Sequence, residues 1–390
     1  MKEVVLVGGL RTPIGLFGGV LKDVSAHALA TLVIKELITK FQVPVNQIDD
    51  VILGWVAQGS DAPNIARVAL LLAGIPEEIT GYTVHRNCAS GMQAIISAAQ
   101  IIKAGDADLI IAGGTESMSN VPYVVKKARF GYRLRHGEFT DALWETLTDP
   151  ITHEVMGVTA ENLASKYNIT REEQDLYTIK SHQKAINAIK ENKFKDEIVP
   201  VPIKQGKETK LVEIDESPRD NLTMEKLTAF PTIFKKDGTV TAANSCPIND
   251  GAAVTLVMSK EKAKELGYEP DATITGYGFA GVNPSIMGIG PAYSTPKALK
   301  QANLTLDDID LFELNEAFAA QNISVHRELN FDWEKVNVNG GGLALGHPVG
   351  ATGCRLVVSL LHEMRRRNLK KGLAGLCVGG GMGSSIIIER

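Results

Sequence analysis

Two of the chain's four cysteines stand where a thiol can do chemistry. Cys88 follows the strand-like stretch Tyr82 to His85 and precedes apolar positions at Met92, Ile95, Ile96, Ala99 and Ile102, a helical spacing that ends near Gly105. A sulfur at the start of that helix meets free backbone N–H groups and the positive end of the helix dipole. Both favour a thiolate, and both can hold a developing oxyanion. The expectation is a Cys88 thiol that titrates below the ordinary value of about 8.5. Ala89, Ser90 and Gly91 leave room beside it for a substrate. Cys377 ends an apolar run and precedes, by one residue, the glycines at 379 to 381.

Two further regions carry polar groups in places suited to chemistry. His347 lies in NGGGLALGHPVGATG, Asn339 to Gly353, where the backbone can approach a ligand closely. Asn315 and Glu316 form a polar pair between an apolar strand and a helix start. Cys88, His347 and Asn315 could make the triad of a cysteine hydrolase acting on thioesters. That reading leaves Cys377 without a task. A nucleotide site is disfavoured because no GxxxxGK[ST] occurs, and GGGMG at 379 to 383 lies too near the end to open a βαβ unit. The eight histidines are scattered and contain no HExxH, so the sequence supports no metal site.

The elements that must position these residues alternate. Val4 to Val7 reads as a buried strand closed by Gly8 and Gly9, and Ser25 caps a helix carrying Leu29, Leu32, Val33 and Leu37. A strand at Val51 to Leu53, a helix near Asn64 to Ala73 and a strand at Leu109 to Ala112 continue the pattern, which predicts an α/β architecture. The stretch from Val43 to Ser119 has a counterpart from Leu304 to Ser385: VPVNQIDDVILGWVAQ answers to LTLDDIDLFELNEAFAAQ, and LIIAGGTESMS to LAGLCVGGGMGSS. Two related halves are expected to pack together. Residues 119 to 248 differ in texture, with an amphipathic helix from Arg171 to Asn192 and a mixed-charge stretch from Lys204 to Lys236, and read as an insertion.

Composition bounds the partners. With 390 residues, 44% hydrophobic and 22% charged, the chain can bury a large core. A formal charge of -4 gives no basic field for nucleic acid or an anionic membrane, and no apolar stretch approaches a membrane span. Few cysteines, none in CxxC spacing, suggest reduced thiols in a cytoplasmic setting.

HRNCASGMQAI (85 to 95), AGGTESMS (112 to 119), NEAFAAQ (315 to 321), NVNGGGLALGHPVGATG (337 to 353) and CVGGGMG (377 to 383) together resemble the thiolase family, over essentially the whole chain. The resemblance implies the five-layered thiolase fold. Residues 1 to 118, completed by about 249 to 270, would form the N-terminal half, 119 to 248 an inserted loop domain, and 271 to 390 the C-terminal half. It implies reversible Claisen condensation and thiolysis, converting two acetyl-CoA to and from acetoacetyl-CoA and CoA, with no cofactor beyond the CoA thioester. By that resemblance Cys88 would be the acylated nucleophile, His347 its base and Cys377 the acid and base at the α-carbon. Asn315 would hold a water in one oxyanion hole, and the N–H groups of Cys88 and Gly379 would form the other.

Met156, Arg219, Phe234, Met287, Ala317 and Phe318 match positions lining the family's CoA channel. Val155, Cys246 and Pro247 depart from the biosynthetic pattern, and IMGIGPAY at 286 to 293 is similar to the degradative branch. The segment from Pro122 to Met156 is about as long as the tetramerisation region of bacterial biosynthetic members. A homotetramer is therefore expected, with a homodimer as the alternative.

Overall fold

A computed structural model describes residues 2–390. One ten-stranded sheet runs through the molecule, and its order is best followed outward from a seam. At the seam Val4–Arg11 meets Ala272–Gly281 through only two antiparallel pairs, Val5 with Thr273 and Leu6 with Ala272. On one side follow Asn249–Ser259, Leu109–Ser117, Asp50–Gly54 and Thr80–Val84. On the other follow Met382–Glu389, Lys371–Val378 and Leu311–Leu314, with Val336 bridged in parallel to Phe312 where a fifth strand would lie. The two sides repeat one strand plan, as the internal sequence similarity predicts.

Apolar residues alternate between two layers along each strand, because successive side chains leave opposite faces. Val4, Leu6, Ile110 and Ala112 pack into an inner cluster, while Val5, Val7, Leu109 and Ile111 pack into an outer one. In the second half Ile386 and Ile388 face inward and Ile387 outward. The inner cluster holds two helices side by side, Ser90–Ala104 and Val349–Arg367, one following Cys88 and the other following His347. Outer helices Ala26–Phe41 and Ile65–Leu72 cover the first half, and Gly290–Ala302 covers the second. Helix, sheet, helix, sheet, helix makes five layers. Strands covered on both faces need apolar residues at every position, which is why they read as continuous apolar runs.

The first strand corrects one expectation. It does not end at Gly8 and Gly9 but continues to Arg11, with its register against Asn249–Ser259 shifting between Val7 and Leu10. Gly8 takes φ +63°, and a Cβ there would lie 2.1 Å from the Phe41 ring, so the glycine pair is a bulge beneath a helix. The helix caps follow the sequence. Ser25 Oγ accepts from Ala28 N, and Thr170 with Glu173 closes a capping box on Arg171–Lys190.

The chain leaves the sheet at Ser117 and rejoins it at Asn249. Between them lie the helices Met156–Lys166 and Arg171–Lys190, a hairpin of Tyr123–Val125 with Phe139–Asp141, and a second hairpin of Val201–Gln205 with Glu208–Val212. No helix among the described residues is long and apolar enough to cross a membrane.

Candidate active site

Cys88 sits in a tight turn between the edge strand and its helix. Asn87 takes the left-handed conformation at φ 42°, Ala89 N donates to Arg86 O and Ser90 N to Asn87 O. Ser90 Oγ completes the turn, accepting from Arg86 N at 2.9 Å and donating to Asn87 O at 2.6 Å. Asn87 Nδ2 donates across the seam to Gly379 O at 2.8 Å, which ties the cysteine turn to the glycine loop after Cys377.

The thiol is directed at backbone. The N–H groups of Gly379 and of Cys88 itself favour its anion, but burial outweighs them and the nearby Glu116 carboxylate adds to burial, so the Cys88 pKa is raised. The expectation of a depressed thiol is therefore wrong. The helix terminus is present, yet the loss of hydration around the half-buried residue outweighs it and decides the sign.

His347 occupies the mirrored place, two residues before its helix as Cys88 is two before its own. The helix starts touch through glycine: a Cβ on Gly91 would lie 2.8 Å from Gly350 O, and one on Gly114 only 2.1 Å from it. His347 is buried, although its glycine-rich surroundings suggest few packing partners. Its N–H donates to Asn249 Oδ1 at 2.9 Å, and Asn249 Nδ2 reaches Gly15 O and Ser217 Oγ. The ring Nδ1 lies 2.7 Å from Thr352 Oγ1. Burial, and then the Arg355 guanidinium, lower its pKa to about 3.

Asn315 follows the strand Leu311–Leu314 directly, and its N–H donates to Gly375 O. Within the described residues neither side-chain atom of this buried amide has a hydrogen-bonding partner. A buried amide with both ends free is costly unless something binds it, so Asn315 is set to hold a ligand or a water. Glu316 beside it is fully engaged with Tyr177, Ser181 and Asn337. Cys377 is buried at the next-to-last position of the strand Lys371–Val378, where burial and the neighbouring thiols of Cys88 and Cys246 raise its pKa.

The residues expected to line a CoA channel divide in two. Met287, Ala317 and Phe318 form an apolar cluster with Cys377, against which Met156, Phe234 and Cys246 pack. Phe234 meets Phe318 edge-on at 6.3 Å. Arg219 lies apart from this cluster, exposed at the rim of a cavity of about 110 Å³ with His182, Ser245 and Pro247. Its N–H donates to His182 Nδ1. The segment from Ser245 to Pro247 joins cavity and cluster, with Cys246 between them.

Sequence reasoning missed Thr352, Asn249 and Glu116. Glu116 is buried and accepts from Val56, Ala57 and Gly350 N–H, joining a loop of the first half to the start of the His347 helix. Burial raises its pKa to about 7 against those hydrogen bonds. By ladder register Glu116 and Cys377 are counterparts: each lies two residues beyond the glycine, Gly114 or Gly375, that faces the end of the neighbouring strand. The repeat in the sequence could have pointed to it.

Four segments from both halves thus converge on a half-buried thiol, an imidazole, a second, buried thiol and an unpartnered amide, within a five-layered α/β frame. That frame and that site define a carbon–carbon bond-forming acyltransferase of the duplicated type. Residues 4–261 match the thiolase N-terminal domain and residues 268–390 the thiolase C-terminal domain, and the chain belongs to the thiolase family. An acetyl-CoA acetyltransferase of Syntrophomonas wolfei is 51% identical, with 100% of this chain and 99% of that protein aligned. A probable acetyl-CoA acyltransferase of Staphylococcus aureus is 47% identical over the whole of both chains. Among solved structures, the Bacillus anthracis acetyl-CoA acetyltransferase matches with TM-score 0.98 at 51% identity, covering 100% of this chain and 99% of that one. Human mitochondrial 3-ketoacyl-CoA thiolase in complex with CoA matches with TM-score 0.97 at 42% identity, covering 100% and 98%.

Proposed function

We propose that the protein catalyses reversible thiolysis of acetoacetyl-CoA to two acetyl-CoA, and of longer 3-ketoacyl-CoA thioesters, through an acyl group carried on Cys88. The observation that carries this reading is the second buried thiol, Cys377, in the same apolar pocket as Cys246 and beside Cys88. A hydrolase has no use for it. A carbon acid does, because one thiol must carry acyl while another exchanges a proton with the α-carbon.

In the degradative direction the Cys88 sulfur attacks the 3-keto carbon as its proton passes to His347. The bond between the α-carbon and that carbonyl carbon breaks, acetyl-CoA leaves as its enolate, and Cys377 protonates the α-carbon. CoA then gives its thiol proton to the Cys377 thiolate and attacks acyl-Cys88, and the shortened thioester leaves as the Cys88 sulfur recovers the proton held by His347. Cys88 is raised and His347 lowered, so at neutral pH the resting pair is thiol and neutral imidazole rather than an ion pair. Proton transfer then accompanies attack. The N–H groups of Cys88 and Gly379 are the donors for the tetrahedral oxyanion, and Asn315 with His347 serves the enolate oxygen.

Met156, Phe234, Met287, Ala317 and Phe318 would line the path of the pantetheine arm, with Arg219 meeting the nucleotide end. No metal and no nicotinamide cofactor enters the reaction. The chain would divide into halves 1 to 118 with about 249 to 270, and 271 to 390, around a loop domain at 119 to 248. Exposed Tyr123, Phe130, Leu134 and Phe139 on the first hairpin of that domain support a homotetramer, with a homodimer as the alternative. A cytoplasmic location fits four free cysteines.

The test is the loss of 3-ketoacyl-CoA enolate absorbance when CoA is added. Release of free acid independent of CoA, or inactivity with every chain length from four carbons upward, would overturn the reading. Comparing kcat/KM for acetoacetyl-CoA with longer substrates fixes the preferred acyl group, expected to be the shortest.

A further inference from the structure

The activation of Cys88 needs an imidazole with one particular nitrogen free. A neutral histidine carries its proton on either ring nitrogen, and the hydrogen bond made by one nitrogen decides the state of the other. His347 Nδ1 has one neighbour of this kind, the Thr352 hydroxyl at 2.7 Å, five residues on and within the first turns of the following helix. Both residues are buried, so their hydrogen bonds compete little with water.

A threonine hydroxyl has a single proton to give. In helices that proton commonly goes to the carbonyl four residues back, and Thr352 Oγ1 stands 2.9 Å from Pro348 O, with Thr352 N at 2.9 Å from the same oxygen. The Oγ1 lone pairs are then all that Thr352 can offer to Nδ1. Nδ1 must carry the proton and donate it.

We propose that Thr352 is a positioning residue that fixes His347 in its Nδ1–H tautomer, leaving the Nε2 lone pair as the base toward Cys88. The inference rests on the reading of His347 as that base. The same contact continues through the reaction. When Nε2 takes the thiol proton the imidazolium forms with its Nδ1–H already bonded to Thr352, and nothing near it has to reorganise. Asn249 fixes the backbone N–H of the same residue at 2.9 Å, so the ring is held at one end by Thr352 and the main chain at the other by Asn249. A hydroxyl donating to Nδ1 instead would put the proton on Nε2, where it blocks the transfer.

The variants are Thr352→Val, which keeps the branched shape and loses the oxygen, and Thr352→Ser, which keeps the oxygen and loses a methyl group. Acetylation of Cys88 by acetyl-CoA is followed in a single turnover by rapid quench, over a range of acetyl-CoA concentrations. Thr352→Val is expected to lower the maximal acylation rate by ~10-fold or more, the order of a general-base contribution, with half-saturation changed less than about twofold. Thr352→Ser is expected to restore most of the rate. Nitrogen-15 NMR of histidine-labelled wild-type protein should show His347 protonated at Nδ1, with the signal assigned by its absence in His347→Gln. In Thr352→Val that resonance should move toward a mixture of tautomers.

A wild-type Nε2–H tautomer overturns the proposal. So does a Thr352→Val protein that acylates at the wild-type rate. So does a loss that Thr352→Ser shares in full, since the role would then be packing. If His347→Gln itself acylates Cys88 normally, the underlying assignment of the base has failed instead, and that result is read without reference to Thr352.

Discussion

The two thiols proposed to divide the reaction between them differ in what surrounds each sulfur. Cys88 has two backbone N–H groups directed at it, whereas Cys377 lies in an apolar cluster beside other thiols. Cys377→Ser keeps the shape but installs a hydroxyl far less able to exchange a proton with carbon. That variant should still take radiolabelled acetyl from acetyl-CoA onto Cys88, while condensation and thiolysis fall by orders of magnitude. Cys88→Ser should lose labelling and turnover together. Equal failure of both variants to acylate would remove the division of labour. Because burial raises Cys88, its alkylation by iodoacetamide should climb with an apparent pKa above the free-thiol value of about 8.5. Inactivation rates between pH 6 and 10 check this, and a midpoint near 6 would show that the helix terminus dominates after all.

At the scale of elements, two helix starts are brought into contact because glycine removes the side chains between them. Gly114→Ala would place a methyl group 2.1 Å from Gly350 O, against backbone that cannot swing away. A loss of about 3 kcal/mol is expected from such overpacking, read as a lower urea midpoint, together with reduced acylation because the His347 helix is displaced. An unchanged midpoint would mean that the helices can part without cost. Glu116 ties the same helix start to Val56 and Ala57 through three N–H donors. Glu116→Gln presents an NH2 group to donors that need acceptors, so about 2 kcal/mol of stability should be lost along with activity. Retention of both would reduce Glu116 to a spectator.

Across the whole molecule, buried ionisable groups make stability depend on pH in two opposed ways. Burial lowers His347 to about 3 and His182 to about 4, so between those values and 6.5 the unfolded chain binds more protons. Their contribution is lost as pH falls through that window. Burial raises Glu116 to about 7 and Glu313, against the attraction of Arg355, to about 8. The native chain then binds more protons above 4.5, and stability declines as pH rises toward 8. Between pH 6.5 and 8 the histidine effect fades and the carboxyl effect outweighs it, so the urea midpoint should fall over that interval, and the fall should shrink in Glu313→Gln. A midpoint that rises there would contradict the assignment. The exposed hairpin gives a second test at this scale. Phe130→Asp with Leu134→Asp should lower the assembly state seen by light scattering without unfolding the protomer. An unchanged mass would place the subunit contact elsewhere.

The sequence by itself determined the alternation of strands and helices, the internal repeat, the cap at Ser25, and the identity of the chemically able residues. Each of these is a local pattern: an apolar period, a capping oxygen, a glycine run or a polar group where packing would prefer carbon. Cys88, His347, Asn315 and Cys377 were legible because they interrupt apolar or glycine-rich stretches. What the sequence left open was every quantity that depends on neighbours distant along the chain. Gly8 and Gly9 look like a strand end and form a bulge, because Phe41 packs above them. Cys88 reads as an acidic thiol from its helix alone, but the second half of the chain closes over it and desolvation reverses the sign. Thr352, Asn249 and Glu116 are ordinary residues in the sequence. For Asn249 and Glu116 only the folded chain makes the partnership, since a hydrogen bond across 98 or 234 residues leaves no local trace in composition or spacing. Thr352 is only five residues from His347, but spacing alone does not show that its hydroxyl meets the ring.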